Sequence, residues 1–370
     1  MTAEAKIGAM LNAFAEPQLF VTLTFSEWWP DYIRILEDTG DKDPTPSNRP
    51  WEAIMYYYRR IQNLKDKFLR KEHLSGFGRL REWVERHEFQ QRGAIHTHSL
   101  YWVSETIEAM ISRDFIRADV PDETVEPELS ELVRRHQIHR CSAQLCRRHL
   151  RDKDVKCAKG FPADLSQTTL QRPGDLRYTY KRLKNEDRWV VPYSPRLLLL
   201  WNAHCNVQYC TGRGLARYIT KYVTKAEPSG LYSGVPGSAV NRHIQARRLG
   251  SMEVVALLLG KPIFSVSSDS IRLSTQLPKD RMYSLKPLPL IIDATNDDDL
   301  FFKDTFEKYA ARPRSLPFDS MTYFEYHTRC MICPPSAPNP RSLRPVIDDI
   351  GYKVWLRPKV CDLPPGSTAA

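Results

Sequence analysis

The chain of 370 residues and 42.9 kDa is long enough for one large domain or two ordinary ones. Hydrophobic residues form 42% of it and aromatic residues 11%, a composition that supports a sizeable core and excludes an intrinsically disordered chain. Its 54 Lys and Arg against 44 Asp and Glu give a formal charge of +10, which favours an anionic partner such as nucleic acid; the alternative is a solvated basic surface.

The apolar runs of the chain are short. The longest, Leu197–Trp201 and Val254–Leu259, fall far below the roughly 20 residues of a membrane span, and the N-terminus lacks the pattern of a signal or transit peptide. We therefore expect a soluble intracellular protein with no membrane partner. In such a compartment its eight cysteines would bind metal or be buried, and would not form disulfides.

Strand and helix patterns alternate in the first part of the chain. Leu19–Phe25 is β-branched and aromatic, which predicts a buried strand. Trp51–Lys71 carries apolar residues at helical spacing and predicts an amphipathic helix. Leu80–Gln90 and Ala94–Val103 predict two strands of a hairpin, joined at Gln91-Arg92-Gly93, where the glycine can take a positive φ.

The composition changes between Pro121 and Pro173, where an acidic stretch is followed by a basic segment rich in His and Cys. We interpret residues 121–175 as an insertion. Strands are predicted over 188–193 and 206–210, and helices over 211–226 and 241–260. After residue 312 the accumulating prolines predict irregular structure.

Residues 1–265 are expected to form one domain that includes the insertion. Residues 266–370 are expected to form a C-terminal extension with an irregular, proline-rich tail. The sequence contains no G-x-x-x-x-G-K-[ST] motif, which excludes a P-loop motor from this chain.

His96-Thr97-His98 lies within the second predicted strand of the hairpin. Because strand side chains alternate, both imidazoles project from one face, where they can bind one divalent ion. Two surface histidines that bind nothing are the structural alternative.

A carboxylate on the neighbouring strand favours the metal interpretation. The hairpin brings Glu88 beside His96, and two histidines with one carboxylate leave open positions of the kind that Mg²⁺ and Mn²⁺ use. Gln90 has the same strand parity and is the alternative third ligand. His87 faces the other way and is expected to be structural.

A second motif combines tyrosines and lysines on the predicted helix 211–226. Tyr218 and Tyr222 share a helical face, as do Lys221 and Lys225. Packing is the ordinary role of such a tyrosine pair. A tyrosine hydroxyl can nevertheless attack a phosphodiester when a metal polarises the phosphate and cations stabilise the phenolate.

The chain resembles the replication-initiator domain of Helitron rolling-circle transposases, which are HUH (His-hydrophobic-His) endonucleases. The combination of E-F-Q-x-R-G-x-x-H-x-H with Y-x-x-x-Y makes the likeness specific. The resemblance runs from about residue 17 to residue 265, in the segments Phe20–Phe25, Glu88–His98, Val191–Tyr193, Trp201–Val207 and Tyr218–Lys225.

This resemblance implies an α+β fold with a central antiparallel β-sheet flanked by helices. It also implies nicking and transfer of single-stranded DNA at transposon ends, through a 5′-phosphotyrosine intermediate and a free 3′-hydroxyl. His96 and His98 fall on the metal-binding pair of the family, and Tyr218 and Tyr222 fall on its two nucleophiles. Thr97 is polar where the family name expects a hydrophobic residue. From the DNA substrate we expect nuclear localisation in a eukaryotic cell.

Helitron transposases carry a helicase after this domain. We expect this chain to lack it, as a fragment, a decayed copy or a host-adopted descendant would. It should then be competent for cleavage and joining without transposing autonomously.

The His/Cys-rich insertion predicts a structural zinc site that folds a basic, DNA-contacting segment. Small buried thiols are the alternative. The candidate ligands are His139, Cys141, Cys146 and Cys157, with His136 or His149 as substitutes for His139.

Two other functions stay open. One is a catalytically inactive or host-adopted remnant of such a transposase, which binds single-stranded nucleic acid by stacking bases on aromatic side chains. The aromatic residues proposed for this are Trp28, Trp29, Tyr56, Tyr57 and Tyr58. The other is a metallohydrolase of small nucleotides that uses the histidine pair, although Leu100 stands where a third alternating histidine would be expected.

Overall fold

The computed structural model describes most of the chain. The described residues are 3–40, 45–89, 95–141, 146, 157–175, 177–210, 250–268, 273, 275–281, 283–286, 291, 300–335, 337–339 and 344–357. The chain divides into two compact units, residues 1–269 and 270–370. Within the described residues, no helix combines the length and apolar character needed to cross a bilayer.

The first unit contains a five-stranded antiparallel sheet. Its strands are β1 (Leu19–Thr24), β2 (Leu80–Phe89), β3 (Ile95–Val103), β4 (Cys205–Tyr209) and β5 (Phe264–Val266). The strand order is β4-β1-β3-β2-β5. β3 is therefore the central strand and has a hydrogen-bonded neighbour on each side.

The helices of this unit often begin with proline. Its described helices are α1 (Ala3–Phe14), α2 (Pro30–Glu37), α3 (Pro50–Leu64), α4 (Glu72–Ser75), α5 (Ile107–Ser112), α6 (Pro127–His136), α7 (Pro195–Trp201) and α8 (Ser251–Leu258). A π-helical turn at Lys65–Leu69 follows α3, and a 3₁₀ turn spans Glu186–Trp189. Helices α2, α3, α6 and α7 start at proline, whose fixed φ and missing N–H suit the first helical position.

The two faces of the sheet are covered differently. On one face Val21 and Leu23 of β1 share a large core with Ile54 and Ile61 of α3. On the other face a smaller cluster joins β3 to α1. That cluster contains Ile7, Met10, Val84, Leu100, Trp102 and Cys210. Because strand side chains alternate, the even-numbered residues of β3 nearer its N-terminus lie on this second face, beyond the α1 cluster.

The α+β fold predicted from the sequence is confirmed, and so are the predicted strands that β1, β2, β3 and β4 now represent. The hairpin turn at residues 90–94 and the predicted helix 211–226 lie outside the described residues. The predicted strand 188–193 is wrong. Only isolated bridges occur there, at Val190 and Tyr193, because Pro192 between them has no N–H to donate to a ladder.

The predicted helix 241–260 is described only from residue 250 onward. Gly250 is the extended N-cap residue of α8, which ends at Leu258. Gly260 follows with φ +60°, a left-handed conformation that suits glycine after a helix.

The second unit contains short helices and a small sheet in its described part. Helices α9 (Thr305–Ala310) and α10 (Tyr323–Arg329) each begin with a capping box, and a 3₁₀ turn spans Pro278–Asp280. Strands β6 (Cys330–Cys333), β7 (Val346–Ile347) and β8 (Lys353–Leu356) pair antiparallel in the order β6-β8-β7. Regular structure after residue 312 is thus more extensive than the prolines predicted, because the prolines lie between these elements.

Candidate functional site

The histidine pair lies on the central strand of the first unit. His96 and His98 of β3 project from the same face and are partly buried, and the His98 side chain is 15% exposed. Thr97 between them projects from the opposite face and is fully buried. Both imidazoles are therefore held by the middle of the sheet and still reach its surface.

Two threonines of β1 hold the imidazole rings. Thr24 pairs with His96 in the antiparallel register, and Thr22 pairs with His98. Each threonine Oγ1 lies 3.0 Å from Nδ1 of its partner histidine. A hydrogen bond to one ring nitrogen fixes the orientation of a metal-binding histidine and leaves the other nitrogen for the ion. The sequence motifs do not single out these threonines, although the alternation in Leu19–Thr24 places both on one face.

Glu88 of β2 stands directly opposite His96, as the hairpin predicted. Its Oε2 lies 3.2 Å from Nε2 of His98. The ligand atoms of these three residues do not all lie within 4.8 Å of one another; in the described part of the chain only a His/Cys group meets that distance. The carboxylate contacts the nitrogen that an ion would use, so ion binding would replace this contact.

Burial keeps the His96 ring neutral. The pKa of the His96 imidazole is lowered to about 4, mainly by burial and further by the nearby His98 and His204, while Glu88 opposes the shift. At neutral pH the ring is uncharged and keeps a lone pair, the form in which histidine binds metals.

Thr97 connects β3 to the opposite face of the sheet. Its Oγ1 lies 2.7 Å from the hydroxyl of Tyr57 in α3 and 2.8 Å from Nδ1 of His87 in β2. The Tyr57 hydroxyl donates to the carbonyl of Leu23 at 3.2 Å, so the threonine donates to the tyrosine and accepts from the histidine. The polar residue between the two site histidines is therefore fully bonded, and His87 faces away from them as its strand parity predicted.

Burial also affects His87. The pKa of the His87 imidazole is lowered to about 3, mainly by burial and then by Lys65, Arg86 and His98. The ring is neutral at physiological pH and serves as a hydrogen-bond partner of the strand.

His204 links the histidine site to α6. Its Nδ1 donates to the carbonyl of His136 at 2.8 Å, and its own carbonyl accepts the N–H of Thr24 at 3.0 Å. Burial lowers the pKa of the His204 imidazole. These bonds give His204 a structural role between the sheet and α6.

The four candidate ligands of the insertion come together. The ligand atoms of His139, Cys141, Cys146 and Cys157 all lie within 4.8 Å of one another. His139 Nε2 lies 3.6 Å from Cys146 Sγ and 3.5 Å from Cys157 Sγ. All three cysteines are free thiols. This His/Cys group could hold a metal ion such as zinc, and His136, the alternative to His139, is not part of it.

Several predicted site residues lie outside the described residues. These residues are Gln90, His149, Tyr218, Lys221, Tyr222 and Lys225. Their position relative to the histidine pair stays a prediction.

The aromatic residues proposed for base stacking differ in exposure. Trp29 and Tyr57 belong to the core, with exposed fractions of 1% and 0%, so a stacking role for them is wrong. Tyr56 and Tyr58 are partly buried. Trp28 is 79% exposed and is the one residue of the five with a largely open ring.

In a comparison with protein families, residues 1–101 match the Helitron helicase-like domain at N-terminus. The matched segment includes Thr22, Thr24, Glu88 and both site histidines, and it ends before the His/Cys group. No curated protein matches the chain. The match relates the chain to Helitron transposases, and a domain of this type implies association with DNA. The likeness to this family model covers the first 101 of the 370 residues.

Proposed function

We propose that the chain is a metal-dependent single-stranded DNA endonuclease and strand transferase of a Helitron-like rolling-circle transposon. The main support is the pair of imidazoles on β3, whose Nδ1 atoms are held by threonines within a Helitron-type domain. A net charge of +10 favours affinity for a phosphate backbone.

The donor types of the histidine site suit a divalent ion, although the three side chains would have to move closer together to bind it. His96, His98 and Glu88 would hold Mg²⁺ or Mn²⁺, with Gln90 as the alternative third ligand. Three protein ligands leave room for water and for phosphate oxygens, which these ions prefer. When bound, such an ion supplies Lewis-acid polarisation of the phosphodiester. Thr22 and Thr24 would hold the two rings in the orientation that binding requires.

The tyrosines supply the nucleophile of the proposed reaction. The hydroxyl oxygen of Tyr218 or Tyr222 forms a bond to phosphorus and loses its proton. The bond from phosphorus to the 3′-oxygen breaks, and that oxygen takes up a proton and leaves as a free hydroxyl. Lys221 and Lys225 stabilise the phenolate as the proton departs.

Strand joining is the reverse of this step. A 3′-hydroxyl attacks the 5′-phosphotyrosine, re-forms the phosphodiester and releases the tyrosine. Because the phosphotyrosine bond conserves the energy of the broken linkage, joining requires no ATP.

An adduct assay tests the proposal. The purified chain is incubated with Mn²⁺ or Mg²⁺ and a single-stranded oligonucleotide, and the products are separated on a denaturing gel. A 3′-label is expected to migrate with the protein, whereas a 5′-label is expected on a shorter free fragment. Chelation should remove both signals.

Substitution of the tyrosines identifies the nucleophile. Tyr218→Phe/Tyr222→Phe should abolish the adduct, and Tyr283→Phe, at a tyrosine that is 46% exposed in the second unit, should leave it intact. An adduct that persists in the double variant would remove the tyrosines from the mechanism.

The same assay separates the two other functions. A non-catalytic nucleic-acid-binding remnant would bind the oligonucleotide in a salt-sensitive way, without an effect of chelation on binding and without formation of an adduct. Hydrolysis of free nucleotides by the double tyrosine variant identifies a metallohydrolase.

A further inference from the structure

The cysteine segments of the His/Cys group are fixed by backbone hydrogen bonds. The Cys157 N–H donates to the carbonyl of Phe161, and the Gly160 N–H donates to the carbonyl of Cys157, both at 2.7 Å. Gly160 has φ +85°, so this tight turn favours glycine. The Ala158 N–H donates to the carbonyl of Cys146 at 2.9 Å, which joins the two cysteine segments.

His139 is oriented from outside the group. Its backbone N–H donates to the carbonyl of Trp189 at 2.8 Å. Its ring stacks on Phe161, with ring centroids 4.4 Å apart and planes 17° from parallel. These two contacts direct Nε2 toward the sulfur atoms of Cys146 and Cys157.

The spacing of these atoms matches a tetrahedral zinc site. With Zn–N near 2.0 Å and Zn–S near 2.3 Å, the edge of a tetrahedron between nitrogen and sulfur is about 3.5 Å. The distances from His139 Nε2 to the Sγ atoms of Cys146 and Cys157 are 3.6 and 3.5 Å. These two distances match that edge, and all four ligand atoms lie within 4.8 Å of one another.

The donor types select the ion. Three thiols and one imidazole are soft or borderline ligands, which favour zinc over the magnesium or manganese expected at the histidine pair. The cysteines are unpaired, so no disulfide competes for the sulfur atoms. Four protein ligands leave no open position for water, which is typical of a structural and not a catalytic site.

We propose that His139, Cys141, Cys146 and Cys157 form a closed structural zinc site of the Cys₃His type. The ion joins the chain just after α6 to the turn at Cys157. Gln137, two residues before His139, donates its side-chain amide to the carbonyl of Cys205 in β4 at 2.8 Å. Zinc therefore secures the turn at Cys157 to the edge strand β4, and its binding does not depend on the nicking activity.

Metal content tests this proposal. The full chain, purified without chelator, should contain about one zinc ion per molecule when its metal content is measured by inductively coupled plasma mass spectrometry. Cys146→Ser and Cys157→Ser should each lose most of it. Cys210→Ala is the matched control, because Cys210 is a buried thiol of the same unit outside the group, and it should keep its zinc. Unchanged zinc in Cys157→Ser overturns the proposal.

A second measurement uses the unaltered protein and does not depend on whether the variants fold. Cys141 and Cys333 are both partly buried thiols, one inside the group and the other in the second unit. Alkylation read by peptide mass spectrometry should spare Cys141, Cys146 and Cys157 until a zinc chelator is added, and Cys333 should react throughout.

Zinc added back, but not Mg²⁺, should restore the protection. A zinc-free protein in which Cys141 reacts as fast as Cys333, with or without added zinc, overturns the proposal. Neither measurement requires cleavage of DNA, so a failure of the proposed nuclease function would leave both unaffected.

Discussion

The first unit contains two groups of metal-ligating side chains that are built in opposite ways. His96 and His98 stand on the central strand, and both rings are held by threonines of the adjacent strand. The His/Cys group draws its ligands from segments between regular elements, over a span of chain from His139 to Cys157.

This difference has a thermodynamic meaning. The sheet fixes the histidine pair through hydrogen bonds that need no ion, so loss of that ion should affect chemistry and leave folding intact. Loop segments lose more conformational entropy when they converge, and a metal bound by all four side chains would offset that loss. Loss of the ion from the His/Cys group should therefore lower the stability of the fold.

The largest expected effect separates the two groups directly. His96→Ala and His98→Ala should each slow formation of the covalent adduct by about 10³-fold, because the Lewis-acid contribution of an ion is several kcal/mol. Their free energy of unfolding in urea should change little, whereas Cys157→Ser should lower it. The test measures the rate of adduct formation at single turnover and the urea denaturation curve of the same preparations. If His98→Ala unfolds the unit, the histidines are structural.

The threonines of β1 test how far the sheet preorganises the site. Thr22→Val and Thr24→Val should raise the Mn²⁺ concentration for half-maximal nicking by about 10- to 100-fold, the usual effect of losing the outer partner of a ligand histidine. Thr22→Ser and Thr24→Ser keep the hydroxyl and should behave as the unaltered protein. An unchanged Mn²⁺ dependence in both valine variants would show that the rings need no such support.

On the opposite face of β3, Thr97 should contribute to the stability of the fold and not to metal binding. Thr97→Val should lower the free energy of unfolding by about 2 kcal/mol, because it removes the shared partner of the Tyr57 hydroxyl and His87 Nδ1 in a buried site. Its Mn²⁺ dependence should not change. Urea denaturation measures the loss, and Thr97→Ser should retain most of the stability.

The smallest expected effect is a pH dependence from His87. The pKa of its imidazole is about 3 in the folded chain and near 6.5 when unfolded, so the unfolded chain binds the proton first. The stabilisation is complete above about pH 6.5 and is lost as pH falls toward 3; by pH 5.5 the loss is about 1.4 kcal/mol.

His87→Gln should flatten this dependence without removing it, because other buried histidines also have a lowered pKa. Urea curves at pH 7.5, 6.5 and 5.5 compare the two slopes. Equal slopes would mean that the pKa of His87 is not lowered in the folded chain.

Local periodicity predicted the part of the histidine site that β2 and β3 form, but not the part that β1 contributes. A strand has a repeat of two residues, so the sequence alone placed Glu88 beside His96 and turned Thr97 to the opposite face. The contacts of Thr22 and Thr24 depend on β1 lying next to β3. That pairing joins residues more than 70 positions apart, and a local pattern does not specify it.

Aromatic residues were the hardest to assign from sequence. Trp29 and Tyr57 have apolar rings with one polar atom, a combination that suits a base-stacking surface as well as a core. In the fold each polar atom finds a backbone carbonyl, the Trp29 indole N–H at Trp201 and the Tyr57 hydroxyl at Leu23. Composition cannot distinguish such a satisfied core ring from an exposed one such as Trp28.

The central position of β3 in the sheet determines at which stage of unfolding the histidine pair comes apart. An edge strand can exchange its amide hydrogens by brief local openings, but β3 is enclosed by β1 and β2. In deuterated solvent the backbone amides that flank His96 and His98 should be among the last of the first unit to exchange. Partly opened forms of this unit therefore keep the histidine pair assembled, and the pair is lost only when the whole unit unfolds.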